Sequence, residues 1–253
     1  MLLLLLIMLT ACSARDRDES PNPTERVEVP TPDGPTTGTG LCANSYYPIR
    51  EGATWTYKST GATSGDYEFT ETITEVHKDG FTVTSQIGDE PRLQEWGCTQ
   101  EGLVTLQLSD STGAALSTQS IGLDLEMKNV SGITFPKQIT DGMQWVHNLE
   151  FTGEVDVSNT AATAGGKVHT DFVARGVESV TVPAGTFEAM KVDTVTTIDT
   201  SMAVQGLEVP AAFTSTSTLW FVENVGWVKT VNQGELGGQS FTEVIELQSF
   251  NIP

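Results

Sequence analysis

Hydrophobic and polar residues alternate one by one along much of the chain after residue 40. Phe81, Val83 and Ile87 share one phase, and the polar residues between them take the other. The same alternation recurs at two further places, Val104, Leu106 and Leu108, and Trp145, Leu149 and Phe151. A period of two with one apolar and one polar phase predicts antiparallel strands with one wet face.

Turn signals separate these runs at Lys78-Asp79-Gly80, Pro183-Ala184-Gly185, Asn224-Val225-Gly226 and Leu236-Gly237-Gly238. No stretch of twelve or more residues has a convincing apolar face at helical spacing. Residues 117–128 are the best candidate for a short helix or an irregular segment. We therefore expect a mainly β fold with few or no long helices: a single curved antiparallel sheet, either a half-barrel or an open barrel.

One element recurs. Residues 47–55 and residues 135–145 each begin with an aromatic residue and proline, continue to an acidic residue and glycine, and reach tryptophan three residues after the glycine. This pattern predicts a loop that turns on a glycine with positive φ and leads into a strand. The tryptophans, Trp55 and Trp145, are then expected to be the first large inward residues of their strands.

The first eleven residues form an apolar run broken only by Thr10. They are too few to span a bilayer, which takes about 20, but they fit the apolar region of an export signal. The run ends in Leu9-Thr10-Ala11-Cys12, which resembles the lipobox of bacterial lipoproteins. The resemblance implies that residues 1–11 are a cleaved signal peptide and that acyl chains such as palmitate on Cys12 anchor the chain to a membrane. The alternative is that Cys12 is an incidental residue of a buried strand.

Residues 12–40 show no hydrophobic period and hold five of the 11 prolines, mixed with threonine, glycine and charges. Such a composition predicts a disordered tether. The expected organisation is a signal peptide at 1–11, a lipidated cysteine and Pro/Thr-rich tether at 12–40, and an antiparallel β domain at 41–253. Ser13 follows the cysteine where aspartate would imply inner-membrane retention, so the lipoprotein resemblance implies the outer membrane in a cell that has one.

The chain is acidic, with 33 Asp and Glu against 13 Lys and Arg and a net charge of −20. An acidic surface repels nucleic acid, so we expect no nucleic-acid partner. Solubility in the surrounding medium is the simplest reason for this charge. A mobile tether and an acidic surface are compatible with a monomer, which is the expected state.

Two cysteines remain after Cys12, at positions 42 and 98. An even pair in an exported protein predicts a disulfide, which would fasten the end of the tether to an early strand. Zinc is a poor alternative because two thiols without a nearby histidine lack the ligands that zinc requires.

Three segments carry a further resemblance. Tyr46-Tyr47-Pro48 with Gly52 and Trp55-Thr56-Tyr57, the run Val180–Ala189 with Lys191-Val192, and Trp220-Phe221-Val222 with residues 225–229 resemble a family of exported bacterial β proteins whose function is not established. The match spans most of residues 45–231, and its most specific part is Val182-Pro183-Ala184-Gly185-Thr186-Phe187. The resemblance implies a half-barrel similar to the LolA and LolB lipoprotein carriers. Those carriers have lid helices, whereas this chain shows no strong helix.

No motif in the chain predicts catalysis, a metal site or a cofactor. His77, His147 and His169 fall on separate strands without ligand spacing. Glu71, Glu75 and Glu243 lie in phase with apolar residues, which fits either a pair of catalytic carboxylates inside a barrel or charges at a rim. We favour the rim and expect no enzyme.

The tryptophans offer the other candidate site. Trp55, Trp145, Trp220 and Trp227 either line a concave face that binds a hydrophobic ligand or fill the interior. Two functions follow. The first is a non-enzymatic envelope lipoprotein that binds a hydrophobic ligand or a partner protein on its concave face. The second is a structural or interaction lipoprotein with a filled core that acts through its outer surface.

Overall fold

The structure of the protein is a computed structural model that describes residues 39–62, 65–107, 124–157, 160–204, 207–236 and 239–253. Cys12, the predicted signal peptide and nearly all of the predicted tether lie outside the described residues, as do Leu108 and the turn at Gly237-Gly238. Within the described ranges, no helix is long and apolar enough to cross a membrane.

Thirteen strands in the described part of the chain form one antiparallel sheet, and a single-turn 3₁₀ helix at Gly40–Cys42 precedes them. The strands are β1 (Thr54–Thr60), β2 (Tyr67–Val76), β3 (Gly80–Ile87), β4 (Glu90–Cys98), β5 (Gly102–Thr105), β6 (Asp124–Gly132), β7 (Phe135–Pro136), β8 (Gln144–Val157), β9 (Thr160–Val182), β10 (Gly185–Val204), β11 (Leu207–Val222), β12 (Gly226–Leu236) and β13 (Gln239–Asn251). The predicted fold class is confirmed. The helical alternative for residues 117–128 is wrong from residue 124 onwards, because that part belongs to β6.

The strand order across the sheet is β6-β8-β9-β10-β11-β12-β13-β1-β2-β3-β4-β5-β7. Most neighbours are consecutive in the chain and joined as hairpins. The exceptions are β6 with β8 and β5 with β7, each of which skips one intervening strand, and β1 with β13, which brings the two ends of the domain side by side. The sheet is not closed, and its edge strands are β6 and β7.

The edge strands nevertheless come together at one end, where the chain passes directly from β6 to β7. We name this passage, residues 132–135, the crossing. Two successive backbone amides within it donate hydrogen bonds to strands near opposite ends of the strand order. Ile133 N donates to the carbonyl of Val146 on β8 at 2.9 Å, and Thr134 N donates to the carbonyl of Leu103 on β5 at 3.0 Å. Because β8 and β5 are each one strand from an edge, these bonds require the sheet to curl into an open barrel.

The curl buries one face of the sheet. The predicted alternation identifies that face at Phe81, Val83 and Leu149 but is wrong at Leu106, which is exposed while its neighbour Thr105 is buried. The larger apolar cluster includes Tyr57, Phe81 and Leu247, none of which has measurable exposure. A smaller cluster lies nearer the other ends of β8, β9 and β10 and consists of Leu149, Phe151, Val168 and Ile198. Burial of large apolar side chains contributes about 1.5–3 kcal/mol each and is the main force that holds the curled sheet together.

The two predicted loops have the same backbone structure. Gly52 and Gly142 both have positive φ, 83° and 75°, as the sequence pattern predicted. Each loop closes with three equivalent backbone hydrogen bonds. In the first loop they run from Gly52 N to Ile73 O, from Ala53 N to Arg50 O and from Ile73 N to Ala53 O. In the second loop they run from Gly142 N to Ala174 O, from Met143 N to Thr140 O and from Ala174 N to Met143 O. The recurring sequence therefore encodes a recurring structure that starts β1 and β8.

We expect Gly142→Ala to lower the free energy of unfolding by about 1 kcal/mol, because an L-residue at positive φ is strained. A Cβ at this position would have no atom within 4 Å, so the expected loss of stability comes from backbone strain alone. Urea unfolding measures it. Gly165→Ala on β9 is the matched control, since a Cβ there meets Phe151 O at an ordinary 3.5 Å. An equal loss in both variants would contradict this explanation of the loop.

Candidate functional site

The segment before β1 folds across the end of the barrel that the crossing occupies. This plug segment, residues 42–50, is covalently fastened by the Cys42–Cys98 disulfide, with Cα atoms 4.9 Å apart. The predicted disulfide is thus confirmed. Asn44 Nδ2 donates to Pro136 O at 3.0 Å. These two attachments hold the plug segment against β4 and β7.

Tyr47 is the centre of the plug segment. Its ring is 6% exposed and lies within 5.4–6.1 Å, centroid to centroid, of Trp55, Phe81, Trp96 and Phe135. Burial raises the pKa of the Tyr47 hydroxyl well above its usual value, and the nearby carboxylate of Glu71 adds to the rise. The sequence pattern pointed to the tryptophans as the inward aromatics, but the residue that fills the space between these four rings is Tyr47.

Trp55 and Trp145, the tryptophans of the two recurring loops, each donate an indole hydrogen bond to a backbone carbonyl. Trp55 is 3% exposed and its Nε1 donates to Val225 O at 2.6 Å. Trp145 Nε1 donates to Thr134 O in the crossing at 3.2 Å, and its ring stacks on Phe172 at 5.1 Å. The Trp55 indole therefore ties β1 to the distant β11–β12 turn, and the Trp145 indole ties β8 to the crossing.

Trp227 and Trp220 have different surroundings. The Trp227 ring stacks on Tyr57, with 3.7 Å between centroids and 5° between planes, and its Nε1 donates to Glu71 Oε2 at 3.3 Å. Trp220 Nε1 donates to Glu178 Oε1 at 2.7 Å, and the Lys191 ammonium lies 5.7 Å from the centre of its ring. Trp220 and Trp227 thus each donate to a carboxylate, and Trp220 also contacts a lysine.

The hairpin Val182-Pro183-Ala184-Gly185 and the turn at Asn224-Val225-Gly226 lie at the same end. Ala184 N donates to Leu247 O on β13 at 3.1 Å, so the β9–β10 turn reaches across the strands between them. Gly226 has φ of 109°, and a Cβ there would lie 3.4 Å from Trp55 Nε1. Glycine at this position lets the β11–β12 turn approach the Trp55 indole closely.

A buried carboxylate lies further along the inner face. Glu243 on β13 is 2% exposed and accepts three hydrogen bonds from neutral groups: Ser59 Oγ at 2.6 Å, Tyr67 Oη at 3.1 Å and Asn232 Nδ2 at 3.1 Å. Ser217 Oγ in turn donates to Asn232 Oδ1 at 2.7 Å. Buried charge is tolerated when such donors surround it. Ser59 is itself fully buried, so we assign the network to the packing of the inner face.

The other two carboxylates that share this phase in the sequence differ from Glu243. Glu71 is half-buried and bonds Trp227. Glu75 is exposed and lies 3.4 Å from His77 Nε2, because the β2–β3 register shifts between Ile73 and Glu75 and moves its side chain out of phase. Among the described residues, no three His, Cys, Asp or Glu side chains are grouped to hold a metal ion.

The Glu243 network is part of a longer polar row on the inner face. Along β9 the inward residues run from Val168 of the smaller cluster through Thr170 to Ala174 of the larger cluster. Thr170 Oγ1 is 3.1 Å from Thr196 Oγ1 on β10. The buried members of the row are His147, Thr170, Thr194, Thr196, Ser217, Asn232, Glu243 and Ser59. The row separates the two apolar clusters.

The histidines are separate from one another, as expected, and only one of them is buried. His77 and His169 are exposed, and His169 Nδ1 lies 2.6 Å from Asn148 Oδ1. His147 is 4% exposed. Its position in phase with Leu149 and Phe151 was the signal in the sequence that could have identified it as an inward residue.

These features define an open, curled antiparallel sheet with one end filled by its own aromatic side chains. The chain belongs to the DUF3108-like family, whose model matches residues 94–237. The matched range contains the second and third segments of the resemblance described from the sequence, but not the first.

Three solved structures are similar to this chain. A protein from Bacteroides fragilis, described as exported and with a YmcC-like fold, is 12% identical, with 83% of this chain and 100% of that chain covered at a TM-score of 0.49. A lipoprotein from Parabacteroides distasonis is 16% identical, with 82% and 99% covered and a TM-score of 0.48. The hypothetical lipoprotein YmcC from Escherichia coli is 11% identical, with 78% and 84% covered and a TM-score of 0.29. The curated proteins contain no match. The likeness to LolA and LolB stays a prediction.

We expect Tyr47→Ala to lower the free energy of unfolding by about 3–5 kcal/mol, because it leaves a cavity between four aromatic rings. Tyr47→Phe keeps the ring and is expected to cost about 1 kcal/mol through the lost hydroxyl. Urea unfolding of the oxidised protein at pH 7 measures both. If the alanine variant lost no more than the phenylalanine variant, the Tyr47 ring would not be the centre of this packing.

Proposed function

We propose that the chain is a cell-envelope lipoprotein anchored through Cys12 and that its β domain is a non-enzymatic interaction module with a filled core. The anchor rests on the resemblance of Leu9-Thr10-Ala11-Cys12 to the lipobox and on the Pro/Thr-rich segment that follows it. In this proposal the lipid is on the extracytoplasmic side, and in a cell with two membranes it lies in the outer one.

The disulfide supports an extracytoplasmic address. Cys42 and Cys98 are close enough to bond without moving the backbone. Disulfides of this kind persist in oxidising compartments and are rare in the reducing cytosol. The bond lies at the plugged end of the barrel. In this proposal the tether leaves the domain there, and the opposite end faces away from the attachment point.

The observation that carries the functional half of the proposal is the position of Tyr47. A carrier needs a concave apolar face that a ligand can occupy. Here the pocket formed by Trp55, Phe81, Trp96 and Phe135 is occupied by the chain's own tyrosine, which a disulfide fastens nearby. We therefore favour action through the outer surface over carriage of a ligand between these rings.

A second candidate function is binding of a hydrophobic ligand beside the smaller apolar cluster. It is favoured by Met127, Val130 and Phe213, which are only partly buried where they pack against the smaller apolar cluster. An acyl chain or an apolar side chain of a partner could complete the burial of these three side chains.

We expect Cys12→Ala to abolish the incorporation of labelled palmitate in the host cell, because the acylated thiol is removed. The double variant Cys42→Ser, Cys98→Ser is the matched control and should still be labelled, since it changes cysteines without touching the proposed anchor. Retained label in the Cys12→Ala protein would refute the lipoprotein assignment.

Native mass spectrometry separates the two candidate functions. For this experiment the leader is replaced by an export signal that is cleaved without lipidation. The unlipidated chain is then purified from its own host. A filled interaction module should be detected at the mass calculated from its sequence, whereas a carrier should retain an adduct of lipid size. A lipid-sized adduct that disappears in Phe213→Glu would establish the second candidate in place of the first.

A further inference from the structure

His147 occupies the place where the two edges of the sheet approach each other. It lies on β8, where its register partners are Gly132 on β6 and Thr170 on β9. Gly132 is the first residue of the crossing. The side chain points to the inner face, in phase with Leu149, and is 4% exposed. The imidazole is therefore buried directly beside the passage from one edge strand to the other.

The ring connects β8 and β5, the two strands that lie next to the edge strands. It hydrogen-bonds the backbone of Thr105 on β5, which lies next to β7 at the far end of the strand order. Thr105 N already donates to Thr134 Oγ1 in the crossing at 2.9 Å, so the carbonyl of Thr105 is the acceptor left for the imidazole. We name this arrangement of His147, Thr105 and the crossing the seam.

The second ring nitrogen has no such contact. His147 Nε2 is buried and has no hydrogen-bond partner in the described part of the chain. Since a neutral imidazole carries one proton, donation by Nδ1 to Thr105 leaves Nε2 as a bare acceptor. An additional proton would sit on Nε2, inside the protein, without an acceptor.

We propose that His147 is an acid-sensitive latch: the neutral ring holds β5 against β8, and the protonated ring releases the seam and opens this end of the barrel. The short pairing of β5 makes a local opening feasible. Its register with β4 spans three residues, Leu103 to Thr105, followed by one bond from Leu106 N to Glu95 O, and its register with β7 spans two residues, Gly102 and Leu103. Elements with so few backbone bonds open at lower free energy than the long strands around them.

Solvation explains the sensitivity to acid. Burial lowers the pKa of His147 from 6.5 to about 4, and the bond to Thr105 opposes this change only in part. In an opened seam the ring regains water and its ordinary pKa. The closed seam therefore keeps its full stability above about pH 6.5 and loses it progressively as the pH falls towards about 4.

Within the described part of the chain, no ionisable side chain faces His147. The residues that face His147 from the packed strands are Gly132 on β6, Thr170 on β9 and Thr105 on β5, and none of them ionises. His169 and Asp171 flank Thr170 along β9, but they alternate onto the opposite face, where both are exposed. The causes of the lowered His147 pKa are burial and the Thr105 backbone, with no charged side chain among them.

Hydrogen exchange of the full chain tests the latch. Peptides that cover residues 102–107 and 132–147 report the seam, and peptides from β12 and β13 serve as the internal reference. After correction for intrinsic exchange rates, linkage between the closed and open pKa values predicts about a 20-fold rise in seam opening from pH 7 to pH 5. The reference peptides should not share this rise.

His147→Gln is the decisive variant, because glutamine can still donate to Thr105 but binds no proton. Its seam peptides should exchange with little dependence on pH, while the control His169→Gln should behave as the unaltered protein. The latch is refuted if the glutamine variant opens as steeply as the unaltered chain.

If His147→Gln does not fold, the pH dependence of exchange in the unaltered protein still tests the latch. Its seam exchange must begin to rise near pH 6.5 and level off near pH 4. An unaltered protein whose seam peptides follow the reference peptides across this range would overturn the proposal.

Discussion

A thirteen-stranded sheet can bury one face only if it curls, and two backbone hydrogen bonds in the crossing hold the curl. Ile133 and Thr134 are adjacent in the chain, yet their amides bond β8 and β5, near opposite ends of the strand order. Without these bonds the inner face of β8 to β10 would have nothing opposite it. The aromatic packing, the plug segment and the buried polar row all presuppose that the two edges have met here.

The plugged end shows how the remaining space is filled. Tyr47 precedes the first strand, but it contacts side chains from β1, β3, β4 and β7. The Cys42–Cys98 disulfide reduces the conformational entropy of the unfolded segment that carries Tyr47, in the chain-entropy account of such bonds. A covalent attachment is useful here because residues 42–50 contribute no strand and so gain no ladder hydrogen bonds. The plug segment thus makes this end of the barrel part of the core.

Two buried ionisable groups on the inner face show opposite solutions to the cost of burial. Glu243 receives three neutral donors, which compensate for the water that its carboxylate has lost. His147 receives one partner and leaves Nε2 without any. A fully hydrogen-bonded polar network makes a core rigid and specific. A buried polar atom without a partner instead destabilises the folded state, and a change in its protonation changes the size of that cost. The difference is why the polar row contributes to packing at Glu243 and to a proposed response at His147.

The sequence by itself determined the local features of this protein. The period-two alternation placed Phe81, Val83 and Leu149 inward, and the recurring glycines predicted the positive φ that starts β1 and β8, because both depend only on near neighbours in the chain. The tertiary structure alone decided the rest. The register shift that exposes Glu75, the filling of the aromatic pocket by Tyr47 and the bond between His147 and Thr105 depend on which distant strands meet. Which strands meet depends on how the whole sheet curls. The free energy of that curling cannot be read from any local sequence pattern.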